Sequence, residues 1–85
     1  MNIRELRKIL ETNSEENIAF DEPHVSLRCE ENNITKEQVL YILLHETSTL
    51  TNFIEDRPNV YKLYFKLSKK RQLKLIIDLL KPKNI

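Results

Sequence analysis

His24 and Arg28 stand four residues apart in the run His24-Val25-Ser26-Leu27-Arg28-Cys29. On a helix that spacing is one turn, so both side chains lie on one side. A histidine beside a fixed cation has the chemistry to act on a phosphodiester, the imidazole moving a proton and the guanidinium holding phosphate. Ordinary helix-surface neighbours look the same, with His24 capping the first turn and Arg28 pairing with Glu31 or with an acid elsewhere, and spacing alone favours that plainer reading. Cys29, four positions after Val25, reads as a small core residue. A triad around Cys29 has no support beyond the residue types. The two histidines, His24 and His45, are far apart and no second cysteine exists, so no metal-ligand spacing is present and no cofactor is expected. His45, at the end of a helical segment, complements the helix dipole.

A second constellation is basic and aromatic. Tyr61, Leu63, Phe65 and Leu67 alternate with Lys62, Tyr64 and Lys66, and Leu73, Leu75, Ile77 and Leu79 alternate with Lys74, Ile76 and Asp78. In strands, alternation sends the leucine set to one face and Lys62, Tyr64, Lys66 and Lys74 to the other. The connection Ser68-Lys69-Lys70-Arg71 adds three more charges. Such a face suits RNA, with Tyr64 stacking on bases and Lys62, Lys66, Lys69, Lys70, Arg71 and Lys74 tracking phosphates. Lysine also guards exposed strands against edge-to-edge pairing, which is the alternative reading of the same residues. Ile76 and Leu80 are mildly apolar on this side and offer a seam for a homodimer.

Charge is divided along the chain. Residues 1–46 carry ten acids against five bases, and residues 47–85 carry three acids against nine bases, within a formal net charge of +1. A near-neutral protein built this way can still offer a positive face to a polyanion. Attraction between the two halves is the alternative.

The elements that must position these residues follow from local signals. Asn2 and Glu5 mark the start of a helix striped by Ile3, Leu6, Ile9 and Leu10 and running to about Thr12. Asp21 is expected to cap a second helix, with Pro23 in its first turn and Phe20 stapled to Val25. That helix ends at Asn32-Asn33, asparagine being the next best residue after glycine in the left-handed conformation. Thr35 and Gln38 form a capping box and Ile34 and Val39 a staple for a third helix, whose Val39, Leu40, Ile42, Leu43 and Leu44 make a wide apolar face. Residues 48–56 suit a strand, and Arg57-Pro58-Asn59 suits a turn. Ile18-Ala19-Phe20 can add a short edge strand. The resulting fold is α+β in a single domain over 1–85: N-terminal helices, mainly within 1–46, packed on one face of a three- to four-stranded antiparallel sheet, a meander over 47–81.

Composition removes several classes of function. The 85 residues include no glycine, which excludes the phosphate-cradling glycine loops of nucleotide-binding folds and the EF-hand loop. No apolar stretch is long enough to cross a membrane, the first turn is charged where a signal peptide is apolar, and one cysteine builds no disulfide framework. The expected compartment is the cytoplasm. So short a chain also leaves little core to enclose a small-molecule pocket.

The segment from His24 through Arg28, Asn32-Asn33-Ile34 and Thr35 to Val39 resembles the opening motif of a small prokaryotic and phage domain family of unknown function. That family shows His-Ala-x-x-Arg-Met, then Arg-Gly-Ile, then a second helix and a curved antiparallel sheet. Asn32 and Asn33 stand here where the family often has arginine and glycine. The stretch from Ile54 to Phe65, with Leu73 to Leu80, is similar to uncharacterised archaeal proteins of that kind. The resemblance covers about residues 20–81 and implies a fold similar to the RelE/ParE and BrnT toxins of type II toxin–antitoxin systems. It therefore implies a toxin-like protein that binds or cleaves RNA, with the ribosome and an antitoxin protein as partners. If the protein is an enzyme, the resemblance implies a RelE-like ribonuclease with His24 and Arg28 as the catalytic candidates. A non-catalytic interaction or dimerisation module is the other reading.

Overall fold

The computed structural model describes residues 1–12, 15–20, 22–80 and 83–84. Helix α1 spans Ile3–Glu11, and the Glu5 amide donates to the Asn2 side chain at its start (2.8 Å). A 3₁₀ turn, Glu15–Asn17, leads into the two-residue strand β1, Ile18–Ala19. Helix α2 spans His24–Asn32 and helix α3 spans Lys36–His45. A second 3₁₀ turn, Thr47–Thr49, precedes strands β2 (Leu50–Arg57), β3 (Val60–Lys66) and β4 (Gln72–Asp78), and the short β5 (Lys83–Asn84) follows. The sheet order is β1-β5-β4-β3-β2, with β2, β3 and β4 antiparallel and the β1–β5 pair parallel. Helices in the first half and an antiparallel sheet in the second make the chain α+β.

The helix boundaries follow the capping chemistry. Thr35 and Gln38 form the reciprocal capping box of α3, and the backbone amides of Asn33 and Ile34 close the end of α2 while Asn33 sits in the left-handed region at φ 56°. Asn59 takes the same region at φ 67° in the β2–β3 turn. These two asparagines do what glycine usually does. The start of α2 differs from expectation. Its cap residue is Pro23, with no side-chain cap bond, and His24 is the first helical residue; Asp21 lies outside the described residues. Starting there moves Phe20 out of staple register with Val25. Instead the Lys36 ammonium lies over the Phe20 ring, 5.6 Å from its centroid.

The β2 strand begins two residues later than expected, after a turn held by threonine hydroxyls. Thr47 donates to the Glu11 carboxylate, and Thr49 donates to the Glu46 carbonyl (2.7 Å), which holds residues 47–49 in a turn. Irregular register between Leu50 and Asn52, and again between Glu55 and Arg57, breaks strict alternation in this outer strand. Leu50 and Phe53 thereby both face the core side.

The core is one cluster. Leu6 and Leu10 of α1, Val25 and Cys29 of α2, and Val39, Ile42 and Leu43 of α3 pack with Leu50, Tyr61, Leu63, Phe65, Leu73, Leu75 and Ile77 of the sheet. Leu63, Phe65, Leu73 and Ile77 are fully buried, so the helices cover the leucine face as the alternation requires. Arg7 of α1 donates to the Leu50 carbonyl (2.6 Å) and fixes that helix to the start of β2. Phe65→Ala is expected to cost about 3–5 kcal/mol and Thr35→Ala about 1 kcal/mol, both read by urea unfolding monitored by circular dichroism.

Candidate nucleic-acid interface and the adjoining cleft

Pairing between β3 and β4 is regular, and it builds the outer face in rows. Tyr64 pairs with Lys74 on one side and Asn52 on the other. The next row is Ile54, Lys62 and Ile76, and Lys66 pairs with Gln72. Directly paired side chains on one face stand within about 5 Å at their Cβ atoms. Tyr64 therefore lies half-buried between an amide and an ammonium. Beyond Lys66 the chain turns tightly, the Leu67 and Ser68 amides both donating to the Arg71 carbonyl (3.0 and 3.2 Å). This presents Lys69 and Lys70 to solvent at the tip.

The seven basic and aromatic candidates are not equivalent. Among the described residues, Lys66, Lys69, Lys70 and Lys74 have no acidic partner, whereas Lys62 lies 3.8 Å from the Asp56 carboxylate, which Arg57 also approaches at 3.6 Å. Arg71 is turned away from the outer face, since its guanidinium donates to the Asn32 carbonyl at the end of α2. It thus satisfies a terminal helix carbonyl. Among the described residues no ion pair joins the acidic half to the basic half; the Lys36–Glu22 pair lies within the first and the Asp56 pairs lie within the second. The Lys36 ammonium and the Ser26 hydroxyl lower the Glu22 pKa below the usual carboxylate value.

His24 and Arg28 come together as the helical spacing requires, and they line one cleft between α2 and β4. His24 is exposed and Arg28 half-buried. Arg28 does not pair with Glu31. Its Nη1 donates to the Lys74 carbonyl (3.3 Å) and so reaches the strand whose side chain carries the outer-face lysine. The cleft has a volume of about 340 Å³. Val25, Cys29, Val39, Leu73 and Leu75 form its buried floor, and His24, Arg28, Arg57 and Asp78 contribute its polar lining. A space of that size was not expected of so short a chain. It exists because α2 turns only Val25 and Cys29, two small side chains, into the core. Arg57 and Asp78 were legible only as a turn residue and a strand end. Their approach to Arg28 depends on where α2 lies against β4, which local pattern does not encode.

Remaining candidates have structural roles. Burial raises the Cys29 thiol above its ordinary pKa. His45 lies beside the Tyr41 ring, with centroids 5.1 Å apart. Tyr61 is buried, and its hydroxyl donates to the Glu55 carboxylate (3.0 Å), which raises the phenol's pKa. Among the described residues no group of histidine, cysteine and acidic side chains could hold a metal ion, and no helix is long and apolar enough to cross a membrane. No family model, no curated protein and no solved structure matches the chain.

Because thiolate is the reactive form, Cys29 in the folded protein is expected to react with iodoacetamide far more slowly at neutral pH than in the urea-unfolded chain. Equal rates in the two states, followed by mass spectrometry, would show that the α2 packing is open.

Proposed function

We propose that this protein is a toxin-like RNA-binding protein that takes single-stranded RNA on the outer face of its sheet. One observation carries this reading: the Asn52–Tyr64–Lys74 row, bordered by Lys66, Lys69 and Lys70, sets a tyrosine among lysines that lack an acidic partner among the described residues. Tyrosine offers a π-face to a base, and the lysines follow the phosphates on either side. Lys62 contributes less, because the Asp56 carboxylate lies 3.8 Å from it, and Arg71 contributes to the fold.

Cleavage is a further step in this reading. His24 is exposed to move a proton, and Arg28, with one donor held by the Lys74 carbonyl among the described residues, has others for phosphate. A ribosome or free RNA is the substrate class, and an antitoxin is the protein partner such a toxin requires. A second copy covering the same face is the competing reading, favoured by Ile54 and Ile76 on either side of Lys62.

Fluorescence anisotropy with a short labelled single-stranded RNA tests the binding. Contacts from four lysines give a slope of log affinity against log salt of about −3, at roughly 0.7 per phosphate. Tyr64→Ala is expected to weaken binding by about 1–3 kcal/mol. No binding even at low ionic strength overturns the proposal, and a tight dimer by sedimentation that occludes Tyr64 replaces it with the dimer reading. For cleavage, RNA is incubated with wild type, His24→Ala and Arg28→Ala, with and without ribosomes. Background activity in all three proteins removes the catalytic part.

A further inference from the structure

The cleft between α2 and β4 holds His24 and Arg28, the residues of the proposed cleavage step, but its lining includes none of Asn52, Tyr64 and Lys74. Its floor is aliphatic, and among the described residues no Phe, Tyr or Trp lines it. A base therefore has nothing to stack on there, whereas an alkyl chain fits Val25, Leu73 and Leu75. The volume of about 340 Å³ falls at the low end of small-molecule sites.

The charges on the lining select the head group. Arg57 is already engaged by the Asp56 carboxylate at 3.6 Å, so Arg28 is the lining arginine without an acidic partner among the described residues, and that single charge suits a monoanion; a phosphate dianion would meet Asp78 with a surplus of its own charge. Asp78 already accepts the Leu80 amide at 3.0 Å. Among the described residues Arg28 is held by one bond, 3.3 Å to the Lys74 carbonyl, and a carboxylate is a better partner for a guanidinium than a carbonyl, since the bond is charge-assisted and bidentate.

We infer that this cleft binds a medium-chain alkyl carboxylate, with the chain over the aliphatic floor and the carboxylate on Arg28, near Arg57. Arg28 would serve the carboxylate here and phosphate in the cleavage step; because the ligand is titrated with no RNA present, failure of this inference and failure of the RNA reading are distinguishable.

Hexanoate, octanoate, decanoate and 1-octanol are titrated into the full chain by calorimetry. Saturable one-to-one binding is expected, with affinity rising about fourfold per added methylene. Arg28→Met is expected to weaken octanoate roughly tenfold or more while leaving 1-octanol unchanged. Octanoate is also expected to slow alkylation of Cys29, which lines the cleft. Should Arg28→Met not fold, Arg57→Met and the Cys29 protection in wild type carry the test. The inference is overturned by non-saturable binding, by equal octanoate affinity in wild type and the arginine variant, or by an unprotected Cys29.

Discussion

Strand β3 has a partner on each side, and every second one of its side chains is driven out of water. Leu63 and Phe65 are completely buried, and Tyr61 nearly so. Because a strand's side chains alternate between faces, burying that set leaves Lys62, Tyr64 and Lys66 no place but the outer surface. A shift of one residue would bury two ammonium groups and expose Phe65, so the register is held by a large penalty. The same constraint acts on β4, where Leu73, Leu75 and Ile77 point inward and Lys74 and Ile76 outward. The proposed RNA face is thus the obligatory reverse side of the core.

The helices divide their work around this sheet. Helices α1 and α3 pack against each other, and α1 also meets β2. Helix α2 is tied down by a few specific bonds: Arg28 to the Lys74 carbonyl, Arg71 to the Asn32 carbonyl, and Lys36 to Glu22. It inserts only Val25 and Cys29 into the core. A helix held by polar bonds over small side chains leaves space beneath it, and that space is the cleft. The polar groups bordering it are therefore close to residues that stabilise α2, which couples any ligand there to the placement of this helix.

Much of this arrangement was legible from local pattern. The stripe Leu6–Leu10, the Thr35–Gln38 box, the left-handed Asn33 and Asn59, and the alternation from Tyr61 to Ile77 each report short-range physics that a linear chain displays. What escaped was decided by tertiary contact. Strand β2 starts late because the turn before it is anchored through Thr47 to Glu11, far away in sequence. Arg71 left the RNA-facing set because the end of α2 offers a carbonyl. Lys62 comes within 3.8 Å of Asp56 across a strand pair, and Arg57 and Asp78 joined the cleft through the placement of α2 against β4. Absence of glycine excludes backbone cradles for phosphate, and it leaves anion contacts to side chains on both sides of β4.

Mapping amide chemical-shift changes by NMR during titration with single-stranded RNA addresses the central claim most directly. The account predicts perturbations concentrated at Asn52, Tyr64, Lys66, Lys69, Lys70 and Lys74, with α1 and α3 unmoved. Perturbations confined to the helices, or none along the Asn52–Tyr64–Lys74 row, would contradict it.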